Sequence, residues 1–507
     1  MTTRVEVAII GAGFAGIGMA LALLRDGRES FVLLERGNSV GGTWRDNTYP
    51  GVACDVPSHL YGFAGHPHPD WSRVFAPGAE IHRYLVDVAD RTGVSARTRL
   101  HTAMTGAIWH ADTATWRVTT SGGDTVVADA LALACGRLTE PLIPEIAGLE
   151  SFPGPLFHSA RWDHAVEVTG RRIGVVGTGA SAVQLVPELV RLGAHVTLFQ
   201  RTPAWIVPRG ERAYTAAERK RFAQHPETLA GLRATLYTEG EERFASRSGR
   251  DAAAADTARQ AALDHLRAQV ADPALRAALT PDYAFGCKRV LLSDTFYPAV
   301  ASDAVSLVGT ALQTVDGTTL TAADGSRHEV DALVLATGFA SARQPYADLV
   351  VGEDGTLADH WSAGMTSYAS TVVAGFPNLF VLNGPNASLG HNSSVLMLEE
   401  QAAYAVQALA RRDRSAGGVL RVDPAAEAAY TAEIDDAAAS TPWITGGCRN
   451  WYVDPRSGRL TLLWPGTVDA FRERLAGADG TEFLDPIPAT PASTSTPPSY
   501  PFSGGTP

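Results

Sequence analysis

Residues 5–10 form a short, β-rich apolar run that stops at Gly11-Ala12-Gly13-Phe14-Ala15-Gly16. A stretch of good helix formers follows to about residue 24, and residues 31–34 are again apolar and strand-like. The alternation predicts a strand, a glycine turn, a helix and a second strand, one βαβ unit. The same order recurs from Arg172. Residues 172–176 read as a strand, Gly177-Thr178-Gly179-Ala180-Ser181-Ala182 as the turn, residues up to about 192 as a helix, and residues 195–200 as the next strand. Between about residues 203 and 285 the chain is rich in Ala, Arg and Glu with few strand signals, which predicts a helical insertion in the second unit. Strand character returns at 304–308, 332–335 and 379–382, and a helix is expected from Ser393 to about residue 410. From residue 486 the chain is dominated by Pro, Ser, Thr and Gly and is expected to be disordered.

The predicted fold class is therefore α/β, with two Rossmann-like dinucleotide-binding domains and a helical insertion in the second. At 507 residues, two or three domains are the expectation. A net charge of −12 argues against a nucleic-acid or anionic-membrane partner held by bulk electrostatics. The apolar run at 5–24 is interrupted by glycines and is better explained by nucleotide binding than by a signal peptide. The four cysteines lie far apart, with no metal-ligand or C-x-x-C spacing. These features point to a soluble cytoplasmic protein in a reducing compartment, with no metal and no implied protein partner.

In the first unit, Gly11 permits the tight turn, Gly13 lets the backbone approach a pyrophosphate, and Gly16 allows helix and strand to pack closely. The helix N-terminus offers free N–H groups to phosphates. Glu35 ends the second strand 24 residues after Gly11, where a carboxylate can accept hydrogen bonds from both ribose hydroxyls. Followed by Gly41-Gly42-Thr43, this unit resembles the N-terminal unit of the two-dinucleotide-domain flavoproteins, which implies FAD. In the second unit Ala182 replaces the third glycine, and the strand ends in Gln200-Arg201-Thr202 with no carboxylate. A guanidinium and a hydroxyl suit a 2′-phosphate, which a carboxylate would repel. NADPH is preferred over NADH.

Gly41-Gly42-Thr43-Trp44 carries tryptophan where disulfide reductases place a redox cysteine, so dithiol chemistry is excluded. Together with Tyr49-Pro50-Gly51 and Asp55, the segment resembles a signature of the Baeyer–Villiger monooxygenases, class B flavoprotein enzymes. Phe152, Gly154, His158, Trp162 and Asp163 match that family's F-x-G-x-x-x-H-x-x-x-W-[PD] fingerprint, just before the second glycine turn. Cys287-Lys288-Arg289 resembles the segment carrying its active-site arginine. The resemblance covers roughly residues 5–475.

It implies an enzyme that consumes NADPH and O₂ and converts a small-molecule ketone to an ester or lactone through a C4a-peroxyflavin. Arg289 would stabilise the peroxy anion and the tetrahedral adduct, and Asp55 would pair with Arg289. Trp44 and Tyr61 would lie against the flavin, and Trp451 would contact the nicotinamide ribose. Phe14, Ala15, Arg36, Gly42, Thr43 and Met104 join the cofactor-binding set, as do Gly177, Thr178, Gly179, Ala180, Ser181 and Gln184 in the second unit. The helix after Ser393 would point at the flavin edge that gains negative charge on reduction. His158 would tune domain motion rather than transfer protons. The FAD domain is expected to comprise residues 1–145 and 330–485, and the NADPH domain residues 146–329. Flavin enzymes that hydroxylate nitrogen or sulfur use the same cofactors. Arg289 and the Trp162-Asp163 ending favour oxygen insertion beside a carbonyl. A flavin-bound regulator without turnover would require a broken cofactor motif, and none is lost.

Overall fold

The computed structural model describes residues 1–484. The tail expected to be disordered lies outside them. Two sheets organise the chain. The larger has eight strands. Its centre is Thr125–Leu133, Thr2–Ile10 and Phe31–Leu34 in parallel register. Met104–His110 and Thr115–Thr120 continue it antiparallel beyond Thr125–Leu133, and Leu379–Val381 pairs with that same strand. The second sheet has five strands, all parallel, in the order Val305–Val308, His195–Phe199, Arg172–Val176, Ala332–Leu335, Leu156–His158.

The central strands are apolar along their buried lengths because both faces are covered, one by helices and the other by antiparallel strands such as Met104–His110 and Thr115–Thr120 in the larger sheet. Phe14–Arg25 is buried nearly all round, held between the sheet and Ser394–Arg412. Its first residue follows Gly13, which has no side chain to cap the helix. Gly179 stands in the same relation to Ala180–Arg191. Both helices therefore begin with uncapped N–H groups, the arrangement that suits an anionic ligand.

The insertion consists of the helices Ala216–Gln224, Pro226–Ser248, Ala252–Gln269 and Pro273–Leu279. Thr215, Asp251 and Asp272 cap three of them through their side-chain oxygens, and Thr215 forms a capping box with Glu218. Buried Arg233 docks the second helix by donating to the carbonyls of His59 (2.9 Å), Leu60 (3.2 Å) and Gly62 (3.0 Å).

One expectation is overturned. Cys287 and Cys448, 161 residues apart, form a disulfide, whereas Cys54 and Cys135 are free. Spacing along the chain does not reveal this pair because only the fold brings it together, and the inference of a reducing compartment loses its support. Among the described residues, no helix is long and apolar enough to cross a membrane. None of their His, Cys, Asp and Glu side chains form a group of three or more able to hold a metal ion.

Candidate active site

Both glycine turns open onto one cavity of about 1240 Å³. An ordinary single-ligand pocket measures ~300–1,000 Å³, so this cavity has room for more than one ligand. The turns are built alike. Gly11 (φ +101°) and Gly177 (φ +108°) adopt a conformation that favours glycine, and a Cβ on either would stand 2.6 Å from the Ala134 carbonyl oxygen or 2.5 Å from that of Ala336. Gly11, Gly13, Phe14, Ala15, Gly177, Thr178, Gly179, Ala180 and Ser181 line the cavity. Gly16 and Ala182 do not; they pack behind the turns, and Ala182 is fully buried.

At the first turn, buried Glu35 accepts from Ala12 N (2.9 Å) and Gly37 N (2.7 Å) and pairs with Arg45 Nη1 at 2.7 Å. A carboxylate has about four acceptor positions, so these partners fix its orientation and leave one for a ribose hydroxyl. Arg36, which pairs with Glu140 at 2.6 Å, also lines this end, as do Gly42, Thr43 and Met104. Trp44 donates to the Tyr61 hydroxyl at 3.3 Å, and the Tyr61 ring meets Phe14 edge-on at 5.0 Å. Ser393 caps Ser394–Arg412, accepting from Val395 N, and Ser394 and Val395 face the cavity. The uncapped turn, the fixed carboxylate and the flat aromatic wall fit a flavin dinucleotide.

At the second turn, Thr178 Oγ1 donates to the Thr202 carbonyl at 2.9 Å, and Arg201 and Thr202 line the cavity. Lys288 joins them. Its ammonium lies 4.8 Å from the Tyr283 ring centre, and burial, then the charge of Arg201, pushes it below the usual lysine range. Arg201 and Lys288, two cations beside the turn, fit a phosphate dianion. Gln184 ties the helix of this turn to the other sheet's loop: it accepts from the Tyr49 hydroxyl (2.9 Å) and donates to the Ala53 carbonyl (3.0 Å). Gln184→Ala is expected to cost about 1–2 kcal/mol, seen as a lower melting temperature with flavin content unchanged.

Between the two ends stands Arg289. Its Nε and Nη2 lie 2.8 and 2.7 Å from Asp55 Oδ2. The Asp55 charge, outweighing burial, raises the guanidinium above the usual arginine range, so Arg289 stays charged. Tyr452 stands beside Arg289 and feels its charge, and burial pushes its hydroxyl up to about 12. Behind them, Arg247 stacks on Phe285 at 5.3 Å; burial, then the charge of Arg289, pushes it down to about 10. The centre of the cavity thus holds a fixed positive charge beside one carboxylate.

The fingerprint at 152–163 stands away from the cavity. Phe152 is buried, and a Cβ on Gly154 would stand 2.6 Å from the Asp331 carbonyl oxygen. His158 ends an edge strand; its Nδ1 accepts from Ala160 N, and its ring packs on Phe339. Burial pushes His158 down to about 4, so it is neutral near pH 7. Trp162 packs edge-on against Phe157, and Asp163 accepts from Ala165 N.

Residues 4–217 match the family model described as flavin-binding monooxygenase-like. A Baeyer–Villiger monooxygenase of Streptomyces coelicolor is 44% identical over 96% of this chain and 94% of its own length. The chain belongs to the Baeyer–Villiger monooxygenase family. A cyclohexanone monooxygenase from Rhodococcus sp. Phi1, solved with NADP⁺, superposes with a TM-score of 0.85 at 27% identity, covering 95% of this chain and 99% of that one. The enzyme OTEMO, solved with FAD and NADP, gives 0.82 at 27% identity over the same shares.

The cavity of this Baeyer–Villiger family member is also lined by residues to which the sequence alone assigns no role. Buried Arg137 lines the cavity and donates to the carbonyls of Leu462 (3.0 Å), Asn383 and Gly384; burial pushes it down to about 10. Arg45 and Tyr452 belong with it. Arg137 stands in no spaced motif and its partners lie elsewhere in the chain, whereas Arg45 follows Trp44 at an unspecified position of its signature and Tyr452 follows Trp451.

Proposed function

We propose that the chain is an FAD-dependent, NADPH-consuming Baeyer–Villiger monooxygenase that uses O₂ to convert a ketone to an ester or lactone. The observation that carries this reading is the Arg289–Asp55 pair in the stretch of one cavity that joins two dinucleotide-type turns. The first turn, Glu35 and the Trp44–Tyr61 wall would hold FAD on residues 1–145 and about 340–485; the boundary expected at 330 moves because Ala332–Leu335 pairs inside the second sheet. The second turn, Arg201, Thr202 and Lys288 would hold NADPH on residues 146 to about 339, which include the strand Ala332–Leu335 of the second sheet. FAD, once reduced by NADPH, supplies the activated oxygen.

Arg289 then supplies a guanidinium, held charged, where negative charge develops on oxygen. Asp55 orients it through two nitrogens. Trp451, 37% exposed on the cavity wall, would cover the nicotinamide side. Aerobic NADPH consumption with a panel of linear, cyclic and polycyclic ketones, followed by product connectivity, tests the reading. Esters or lactones carrying one oxygen from O₂ are expected. Turnover confined to thioethers or amines would replace it with heteroatom hydroxylation.

NADPH should outperform NADH. Arg201→Ala is expected to raise KM for NADPH about ten- to thirtyfold, the loss of a charge-assisted contact worth ~1.5–2 kcal/mol, while KM for NADH barely moves. Equal losses for both cofactors would mean that Arg201 does not read the 2′-phosphate.

A further inference from the structure

The Cys287–Cys448 disulfide joins two walls of the cavity. Cys287 is fully buried and directly precedes Lys288 and Arg289, both of which line the cavity. Cys448 directly precedes Arg449, Asn450, Trp451 and Tyr452, which line it as well. The second wall follows the short helix Pro442–Thr445 and has no regular secondary structure of its own. Its internal order comes from Asn450, which donates to the Trp443 carbonyl (2.8 Å) and accepts from Tyr452 N (3.0 Å) and Val453 N (3.2 Å). A backbone bond from Ala284 N to the Gly446 carbonyl (2.9 Å) supports the junction. Gly446 itself is fitted to the cystine: a Cβ there would stand 2.8 Å from Cys287 Cβ. Trp451 is too exposed to be held by burial, so its place depends on what anchors the segment.

We propose that the Cys287–Cys448 disulfide is a positioning cross-link that fixes the Trp451–Tyr452 wall against the Arg289 wall for the nicotinamide cofactor, and that its reduction loosens this wall without unfolding the chain. The proposal rests on the functional reading above. Tyr452 is itself buried in the core and its carbonyl accepts from Thr461 N at 3.1 Å, so what the cross-link orders is exposed Trp451 and the stretch before it, which must otherwise be ordered when the cofactor binds, at a cost in conformational entropy. Opening the bond consumes one dithiol: two thiols form on the protein, and the reagent leaves as its cyclic disulfide. Closing it takes the two thiols and one hydrogen peroxide, giving the disulfide and two waters. Cys287 and Cys448 act through Arg289 and Trp451 and are positioning residues.

The test compares FAD-loaded wild type, oxidised, with the same protein after dithiothreitol treatment and removal of the reagent, and with Cys287→Ser and Cys448→Ser. Thiol titration in denaturant should find two free thiols before reduction and four after. Reduction is expected to leave FAD content and the saturated rate of flavin reduction within about twofold. It should raise KM for NADPH about three- to tenfold, the scale of one net positioning contact, and divert more NADPH to hydrogen peroxide. Amides at 446–452 should exchange hydrogen faster with NADP⁺ present. Reoxidation by peroxide should restore wild type but neither serine variant. If Cys287→Ser fails to fold, reduced wild type and Cys448→Ser carry the comparison. Identical KM, coupling and exchange in the two forms would overturn the proposal, as would four free thiols that peroxide does not close. Oxidised wild type that turns over no ketone would instead sink the functional reading, and the exchange contrast would still decide the cross-link.

Discussion

A Gly13→Val variant is expected to purify folded but colourless. Gly13 has φ −85° and ψ −164°, extended backbone that valine adopts without strain. A Cβ there meets only Gly42 Cα, at 3.5 Å, an ordinary contact. The fold therefore has no quarrel with the substitution, and the branched methyls can go only into the cavity in front of the Phe14–Arg25 N-terminus. That is the space the pyrophosphate needs. Overfilling a close-packed site costs ~1–3 kcal/mol, which is about five- to 150-fold in Kd, enough to strip flavin during purification. Circular dichroism and melting should match the wild-type apoprotein, with flavin absorbance at less than about a tenth of one FAD per chain. Gly16→Val is the contrasting control: its Cβ would stand 1.9 Å from the Gly11 carbonyl oxygen, so the turn itself would break. A Gly13→Val protein that keeps its full flavin would remove this turn from the FAD site.

The two turns were legible in the sequence because their logic is local. Strand, glycine, helix and second strand follow within about thirty residues, and each glycine answers a steric demand of its near neighbours. Arg289 and Asp55, 234 residues apart, were legible only through resemblance; their contact at 2.7 Å is a property of the fold. Arg137 was not legible at all, because its meaning lies in the carbonyls of Asn383, Gly384 and Leu462. Cys287 and Cys448 failed the same way, since spacing rules see only cysteines close in sequence. The short strands Leu312–Asp316, Thr319–Ala322 and Arg327–Glu329 pair into a small antiparallel sheet that the reading did not anticipate, their few residues giving too little alternation to count. The helical insertion was visible in composition, while its docking through Arg233 was not.

Arg289→Ala should separate the two halves of the reaction. Hydride transfer from NADPH to FAD creates no oxyanion, so flavin reduction should survive within about tenfold, a loss of ~1.4 kcal/mol or less. Oxygen insertion should fall by about a hundredfold or more, the usual result of removing one stabiliser of a developing oxyanion. The geometry makes the loss heavier than a missing donor alone. Asp55 would keep its carboxylate in the cavity with its closest cationic partner gone, so that it repels the negative charge that Arg289 had attracted. Arg289→Lys keeps the charge but not the two-nitrogen grip on Asp55 and should lie between wild type and alanine. Asp55→Ala combined with Arg289→Ala should recover part of the insertion rate lost in Arg289→Ala. In Arg289→Ala, NADPH oxidation continues slowly while its electrons leave as hydrogen peroxide. Stopped-flow reduction and end-point ester analysis read the two steps independently. A variant that still gives wild-type ester per NADPH would show that the positive charge at this position is not what drives insertion.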